Sequence, residues 1–234
     1  ETRMAMQDQE DIKKLLIVTG PQGSGNHLWA KIFSMHASVE GWNMMREEWQ
    51  GHHEEPFNEY WQEPEKLKDL DISEKRNFVT SISCPYYKDK KPQIPQYAKF
   101  IRHAKKKFDK VVVCIIGRDR DILKIQQTRV RKEHTTPMAL DEFERFDKTE
   151  CEGSLEGVDQ FVGAENIQYA STELLYMYGG QYLKTLQKNL DFPVGWHYET
   201  LLKDYLKKNT NAKYLKEIEK GDFDDEVAEA SSRS

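Results

Sequence analysis

Aliphatic residues in this chain come in short unbroken blocks. Leu15–Thr19, Phe78–Ser83, Val111–Ile116 and Val194–Tyr198 predict four strands. Blocks without polar alternation suit strands covered on both faces. Between them apolar residues recur at helical spacing over Leu28–His36, Pro95–Phe108, Asp121–Glu133 and Glu165–Leu190. In the last of these Ile167, Leu174, Leu175, Tyr178, Leu183 and Leu186 fall in phase, and the pair Gly179-Gly180 predicts a kink or a close approach. Strands alternating with helices predict an α/β domain with a mostly parallel central sheet flanked by helices. Ligands of such sheets bind beyond the C-terminal strand ends. Three of those ends carry polar or glycine-rich segments: Gly20–Asn26, Ser83–Tyr87 and Gly117–Arg120, which are expected to converge. Two stretches break the pattern. Trp42–Pro64 is an insert crowded with Trp42, Trp49, His52, His53, Phe57, Tyr60 and Trp61; Thr135–Gly163 is polar and reads as irregular, ending in a loop at Glu150–Gly157. Residues 1–220 are read as one domain, and 221–234, acidic and small, as a disordered tail.

The segment Leu15-Leu16-Ile17-Val18-Thr19-Gly20-Pro21-Gln22-Gly23-Ser24-Gly25-Asn26-His27-Leu28-Trp29 adds chemistry to this picture. A strand leads into a turn with three glycines, and a helix follows at once. Glycines let backbone N–H groups turn inward around an anion, and the helix adds its positive N-terminal end. Against the nucleotide pattern G-x-x-x-x-G-K-[ST], Gly20 and Gly25 fit. Asn26 stands at the lysine position and His27 at the magnesium-binding hydroxyl position. The loop therefore suits a phosphate held without metal-bound triphosphate chemistry.

Composition narrows the setting. The 234 residues suffice for one sizeable α/β domain. Charged residues make up 32% and the mean hydropathy is −0.83, and no apolar run approaches a membrane span. The stretch Glu1–Lys14 is polar and has no leader pattern. The net charge of −5 argues against a nucleic acid as the main partner. Cys84, Cys114 and Cys151 lack metal-ligand spacing; the first two lie in or beside strands and are expected to be buried thiols, which suits a cytoplasmic setting.

Three motifs together resemble those of sulfotransferases that use 3′-phosphoadenosine 5′-phosphosulfate (PAPS). The first is Gly20–Leu28 followed by His36-Ala37-Ser38-Val39, similar to the G-x-x-[RK]-S-G-[TS]-[TS] loop and H-P-x-V segment of the tyrosylprotein and carbohydrate branches. The second is Lys110–Leu123, a strand ending in Arg118 with a short acidic turn and a helix behind it. The third is Val194–Leu202, similar to a late Y-E-x-L signature. They occur in family order and span residues 15 to 202. Departures are as definite as matches. Gly23 replaces the basic loop residue, Asn26 and His27 replace two hydroxyl residues, Gln126 stands eight positions after Arg118 where the family has serine, and the arginine-lysine-glycine motif of the cytosolic branch is absent.

The resemblance implies a sulfotransferase-like fold with a phosphate-binding loop. It further implies transfer of a sulfuryl group from PAPS to a hydroxyl or amine of a small-molecule, carbohydrate or peptide acceptor. On that reading backbone amides of Gln22, Gly23, Ser24, Gly25 and Asn26 hold the 5′-phosphate. Asn26 and His27 add side-chain donors, and Arg118 with Gln126 holds the 3′-phosphate. Sulfuryl transfer needs positioning and charge stabilisation, plus a base for most acceptors. The candidates are Glu48, where the family's base lies a few residues earlier in register, and His53, with His27 beside the donor. No metal is required, and His52-His53 lacks a third ligand at suitable spacing. The insert aromatics either line an acceptor pocket or pack the insert onto the domain. Two alternatives stand beside this reading: a nucleotide kinase with a degenerate loop, disfavoured by the missing lysine and hydroxyl, and a non-catalytic nucleotide-binding protein of the same fold.

Overall fold

The computed structural model describes residues 12–41, 57–146, 163–195, 199–207 and 210–220. At its centre is a five-stranded, all-parallel sheet made of β1 (Lys14–Pro21), β2 (Val39–Glu40), β3 (Asn77–Cys84), β6 (Lys110–Gly117) and β7 (Ile167–Ser171), in the order β2-β3-β1-β6-β7. A small antiparallel hairpin, β4 (Tyr86–Lys88) with β5 (Lys91–Gln93), follows β3. The predicted blocks at 15–19, 78–83 and 111–116 are the cores of the three central strands. They pair in register from Lys14↔Asn77 to Pro21↔Cys84 on one side and from Lys14↔Lys110 to Thr19↔Ile115 on the other.

Successive strand residues feed two separate cores, as the two-residue side-chain period requires. Leu15, Ile17, Phe78, Val111, Val113 and Ile115 pack on one face with α3 (Tyr97–Ala104) and α5 (Thr136–Phe143). Leu16, Val18, Val79, Val112, Cys114 and Ile116 pack on the other with α1 (Asn26–Ser34), α6 (Thr172–Tyr178) and α7 (Gly180–Leu190). Each fully buried aliphatic side chain contributes about 1.5–3 kcal/mol. The first crossover from β1 runs through α1 to β2, and a later one runs from β3 through α3 to β6 on the far side of β1. Right-handed crossovers in opposite directions put their helices on opposite faces. They also leave a crevice at the C-terminal end of β1.

Part of the insert packs into this framework. Phe57, Trp61 of α2 (Asn58–Gln62) and Leu67 of a 3₁₀ turn (Pro64–Asp69) are buried in the first core. Trp61 stacks on Phe100 at 3.7 Å and donates from Nε1 to Thr80 Oγ1 at 2.9 Å. These aromatics serve packing. Trp42, Trp49, His52, His53 and Glu48 lie outside the described residues, as do Cys151 and the tail 221–234.

The edge of the sheet corrects the sequence expectations. The fourth strand is Ile167–Ser171, not Val194–Tyr198: residues 193–195 are irregular, 196–198 lie outside the described residues, and α8 (Glu199–Lys207) begins at 199. Ile167 happens to sit in helical phase with Leu174 and Leu175, which hides the boundary. The signal for it is Ser171, whose side chain caps α6 by accepting from Leu174 N at 3.2 Å. The expected kink at Gly179-Gly180 is a full break, with Gly179 at φ 51 between α6 and α7. The irregular reading of 135–163 also fails for α5, which starts with Pro137 in its first turn and buries Ala139 and Phe143. The last helix among the described residues is α9 (Thr210–Lys220), and α4 (Arg120–Arg131) follows β6. No helix among the described residues is long and apolar enough to cross a membrane.

Candidate functional site

The glycine loop closes the C-terminal end of β1 and starts α1. Gly23 at φ 88 and Gly25 at φ 95 take the left-handed conformation that side chains rarely adopt. Ser24 N donates back to Pro21 O at 3.0 Å, and the first intrahelical bond of α1 runs from Trp29 N to Gly25 O at 2.9 Å. Three consecutive loop carbonyls are tied down by side chains from three different elements. Gln22 O accepts from Gln127 Nε2 of α4 at 2.7 Å, Gly23 O from Arg118 Nη1 at 2.6 Å, and Ser24 O from Thr172 Oγ1 of α6 at 2.8 Å. In a trans peptide the N–H points opposite to the carbonyl. The amides of Gly23 and Gly25 are therefore turned away from these supports, as an anion-binding loop requires.

The three strand-end segments converge as expected. Asn26 Nδ2 donates to Ser83 Oγ at 3.1 Å across β1 and β3, and Arg118 reaches the loop from β6. The expected donors divide into two groups. Asn26 has its side chain turned into the fold: it is 3% exposed, donates to Gly20 O at 3.0 Å and braces the loop. His27 Nδ1 lies 2.7 Å from Ser81 Oγ on β3, which fixes the ring at the start of α1.

Arg118 is more enclosed than a free ligand-binding arginine. Nη1 also donates to Gln126 Oε1 at 2.8 Å, while Nε and Nη2 both donate to Asn211 Oδ1 of α9 at 3.0 and 2.6 Å. Burial lowers its pKa, and the neighbouring Tyr176, Tyr214, Glu173 and Asp119 oppose that shift. Gln126 also fills the space beside Gly23: a Cβ there would stand 2.8 Å from Gln126 Oε1. The position that carries a basic residue in the motif thus has a backbone conformation that strains any side chain, and Gln126 would have to move aside for one.

A cavity of about 1130 Å³ opens beside the loop, lined by Pro21, Arg118, Arg120, His134, Phe143 and Tyr182 among others. Burial, then the charges of Lys124 and Arg120, lower the His134 pKa, so the ring is neutral at neutral pH. Gln22 Oε1, His134 Nε2 and Thr135 Oγ1 are buried without a hydrogen-bond partner among the described residues, and all three residues lie on or next to the Gln127 anchor. Cys84 and Cys114 are free buried thiols, each pushed up to about 12 by burial, and unsuited to nucleophilic chemistry. Among the described residues no group of three or more His, Cys, Asp or Glu is placed to hold a metal ion.

No family model matches the chain, and no curated protein matches it. Gln127, Thr172, Asn211 and Glu173 are the members that sequence reasoning missed. Gln127 and Thr172 had a weak signal as polar positions beside apolar helical ones. Asn211 had none, because only the fold brings it to Arg118.

Proposed function

We propose that the chain is a sulfotransferase that takes its sulfuryl group from PAPS. The observation that carries the reading is the glycine loop at the C-terminal end of β1. Three of its carbonyls are held from behind, with Asn26 and His27 at the places where a triphosphate site has its lysine and metal-binding hydroxyl. Such a loop suits a single phosphate without metal. The amides of Gly23, Gly25 and the first turn of α1 would take the 5′-phosphate, with His27 beside them. Arg118 and Gln126 would take the 3′-phosphate at the end of β6. Bound there, PAPS supplies an activated sulfuryl group; the chain's own part is to orient it in line with an acceptor and to remove the acceptor proton. Glu48 is the favoured base and His53 the second choice, with a hydroxyl or amine of a small molecule, carbohydrate or peptide as acceptor.

One observation favours a second reading. Gly23, at a positive φ with Gln126 beside it, leaves the donor's bridging oxygen without the motif's basic residue. A non-catalytic nucleotide-binding protein of the same architecture would need none.

Thermal shift with PAPS, its desulfated product 3′-phosphoadenosine 5′-phosphate (PAP), 5′-AMP and ATP tests the first step. PAP should stabilise the fold more than 5′-AMP or ATP, without magnesium, by about 2.7 kcal/mol at one hundred times its dissociation constant. Equal shifts for PAP and 5′-AMP remove the 3′-phosphate site, and a magnesium-dependent ATP shift favours a kinase. Labelled PAPS with a panel of phenols, sugars and amines separates enzyme from binder. In that assay Glu48→Gln should lower turnover by about 10²–10⁴-fold, with PAP binding unchanged.

A further inference from the structure

The guanidinium of Arg118 already has an occupant on the edge that an arginine uses for phosphate. Nε and Nη2 form the fork that matches two oxygens of an anion. Here both donate to one neutral amide oxygen, Asn211 Oδ1, at 3.0 and 2.6 Å. Asn211 is 6% exposed, and its Nδ2 donates to Glu173 Oε1 at 2.9 Å, an oxygen that also accepts from Asp119 N at 3.0 Å. The amide is thus oriented on both sides.

Asn211 belongs to a stripe along α9. Residues three apart on a helix share a face. The next such residue, Tyr214, stacks its ring under both Arg118 (5.7 Å) and Arg129 (6.0 Å), and the one after, Glu217, pairs with Arg129. One face of the last described helix is therefore docked on two arginines, one of which holds the glycine loop through Gly23 O.

We propose that Asn211 stands in for the second phosphate of the ligand, so that binding a 3′-phosphorylated nucleotide exchanges the amide for the anion and releases α9 from Arg118. The inference rests on the reading that Arg118 takes that phosphate. A phosphate brings opposite charge and two oxygens to the fork, where the amide offers one neutral oxygen, and this sets the direction of the exchange. A ligand lacking the 3′-phosphate leaves Asn211 in place. Helix α9 then reports which nucleotide is bound, and Asn211 sets the discrimination between them.

The test is calorimetric titration of the whole chain with PAP and with 5′-AMP, for wild type, Asn211→Ala and Asn211→Asp with Glu173→Gln, together with hydrogen exchange over residues 210–220 of the wild type. Asn211→Ala should bind PAP about tenfold more tightly and 5′-AMP unchanged, because a competing neutral acceptor is gone. Asn211→Asp, combined with Glu173→Gln so that its second oxygen does not face a carboxylate, should bind PAP at least tenfold more weakly, its carboxylate holding the fork. Exchange over 210–220 should rise with PAP and not with 5′-AMP, a readout that stands even if a variant fails to fold. PAP binding that is unchanged or weakened in Asn211→Ala, or α9 amides whose exchange is unchanged or slowed by PAP, overturns the exchange while leaving the donor reading intact. A wild-type chain that binds neither nucleotide removes the donor reading and this one with it.

Discussion

Replacing Gln127 by methionine tests whether the glycine loop is held from behind. Gln127 is 1% exposed and makes four hydrogen bonds. It donates to Gln22 O at 2.7 Å and accepts from Thr135 N at 2.8 Å and from Thr136 N and Oγ1, both at 3.2 Å. Methionine has nearly the same length and volume, so the cavity term is small. The polar term is not. Gln22 is partly exposed and its carbonyl can turn to water, and the Thr136 hydroxyl can rotate. The backbone N–H groups of Thr135 and Thr136, residues 3% and 6% exposed, have no such escape. Two orphaned buried donors at about 1–3 kcal/mol each give about 2–6 kcal/mol. That is a large part of the roughly 5–15 kcal/mol that holds a domain together. Urea titration followed by circular dichroism should show a lower midpoint with an unchanged slope, and the melting temperature should fall by at least about 4 °C. Because the loop carbonyl is released, binding of PAP and of 5′-AMP should weaken by a common factor. A Gln127→Met protein within about 0.5 kcal/mol of wild type would refute the claim that this side chain anchors the loop.

Thr172→Val removes the donor to Ser24 O and the acceptor of Trp29 Nε1 (3.1 Å), and should cost about 1–3 kcal/mol in a denaturation series, with Thr172→Ser restoring most of it. Gly23→Ala places a side chain at φ 88 against Gln126, and should lower stability by about 1–2 kcal/mol. Adding Gln126→Ala should recover the steric part only, so a double mutant as stable as wild type would show that the backbone conformation is not required. His134 titrates below its ordinary value of 6.5 in the fold because burial disfavours the charged ring. The unfolded chain therefore takes up that proton first as the pH falls. Stability should decline as the pH drops below about 6.5 and level off once the folded ring is protonated, and His134→Gln should flatten that segment of the curve. An unchanged curve would place the pH dependence elsewhere.

The parts of the fold legible in the sequence are those set by local composition. The aliphatic blocks of β1, β3 and β6 are buried on both faces and have no other plausible state, so their position and parallel pairing follow directly. The glycine loop was legible because its backbone needs glycine at 23 and 25. The edge strand was not. Ile167-Gln168-Tyr169-Ala170-Ser171 pairs with β6 on one side only and leaves Tyr169 71% exposed, so its sequence lacks the continuous apolar run that marks an interior strand. Conversely, Val194 is fully buried without belonging to any strand. A strand and a merely covered segment look alike in sequence, and only the strand order decides between them.

The same contrast holds at the site, with a consequence for how its residues act. The sequence motif picks out groups for contact with a ligand: Asn26, His27, Arg118 and Gln126. The fold gives most of those side chains protein partners instead, on Gly20, Ser81, Gly23 and each other. A side chain already engaged contributes to binding by fixing the backbone, and a backbone amide has no sequence signature beyond glycine. Loss of such a side chain should therefore weaken binding through disorder of the loop, and weaken every ligand that uses the loop alike. Arg118 is the informative exception, since its fork faces a neutral oxygen, which on the proposed reading the anion displaces. Arg118→Ala should weaken PAP by more than 5′-AMP, because it removes both the brace on Gly23 O and the fork, whereas Gln127→Met removes a brace alone. The ratio of the two ligands' losses, measured by titration in both variants, separates the roles. Equal ratios in the two variants would make Arg118 a brace only, and the second phosphate site would have to be sought elsewhere on the loop.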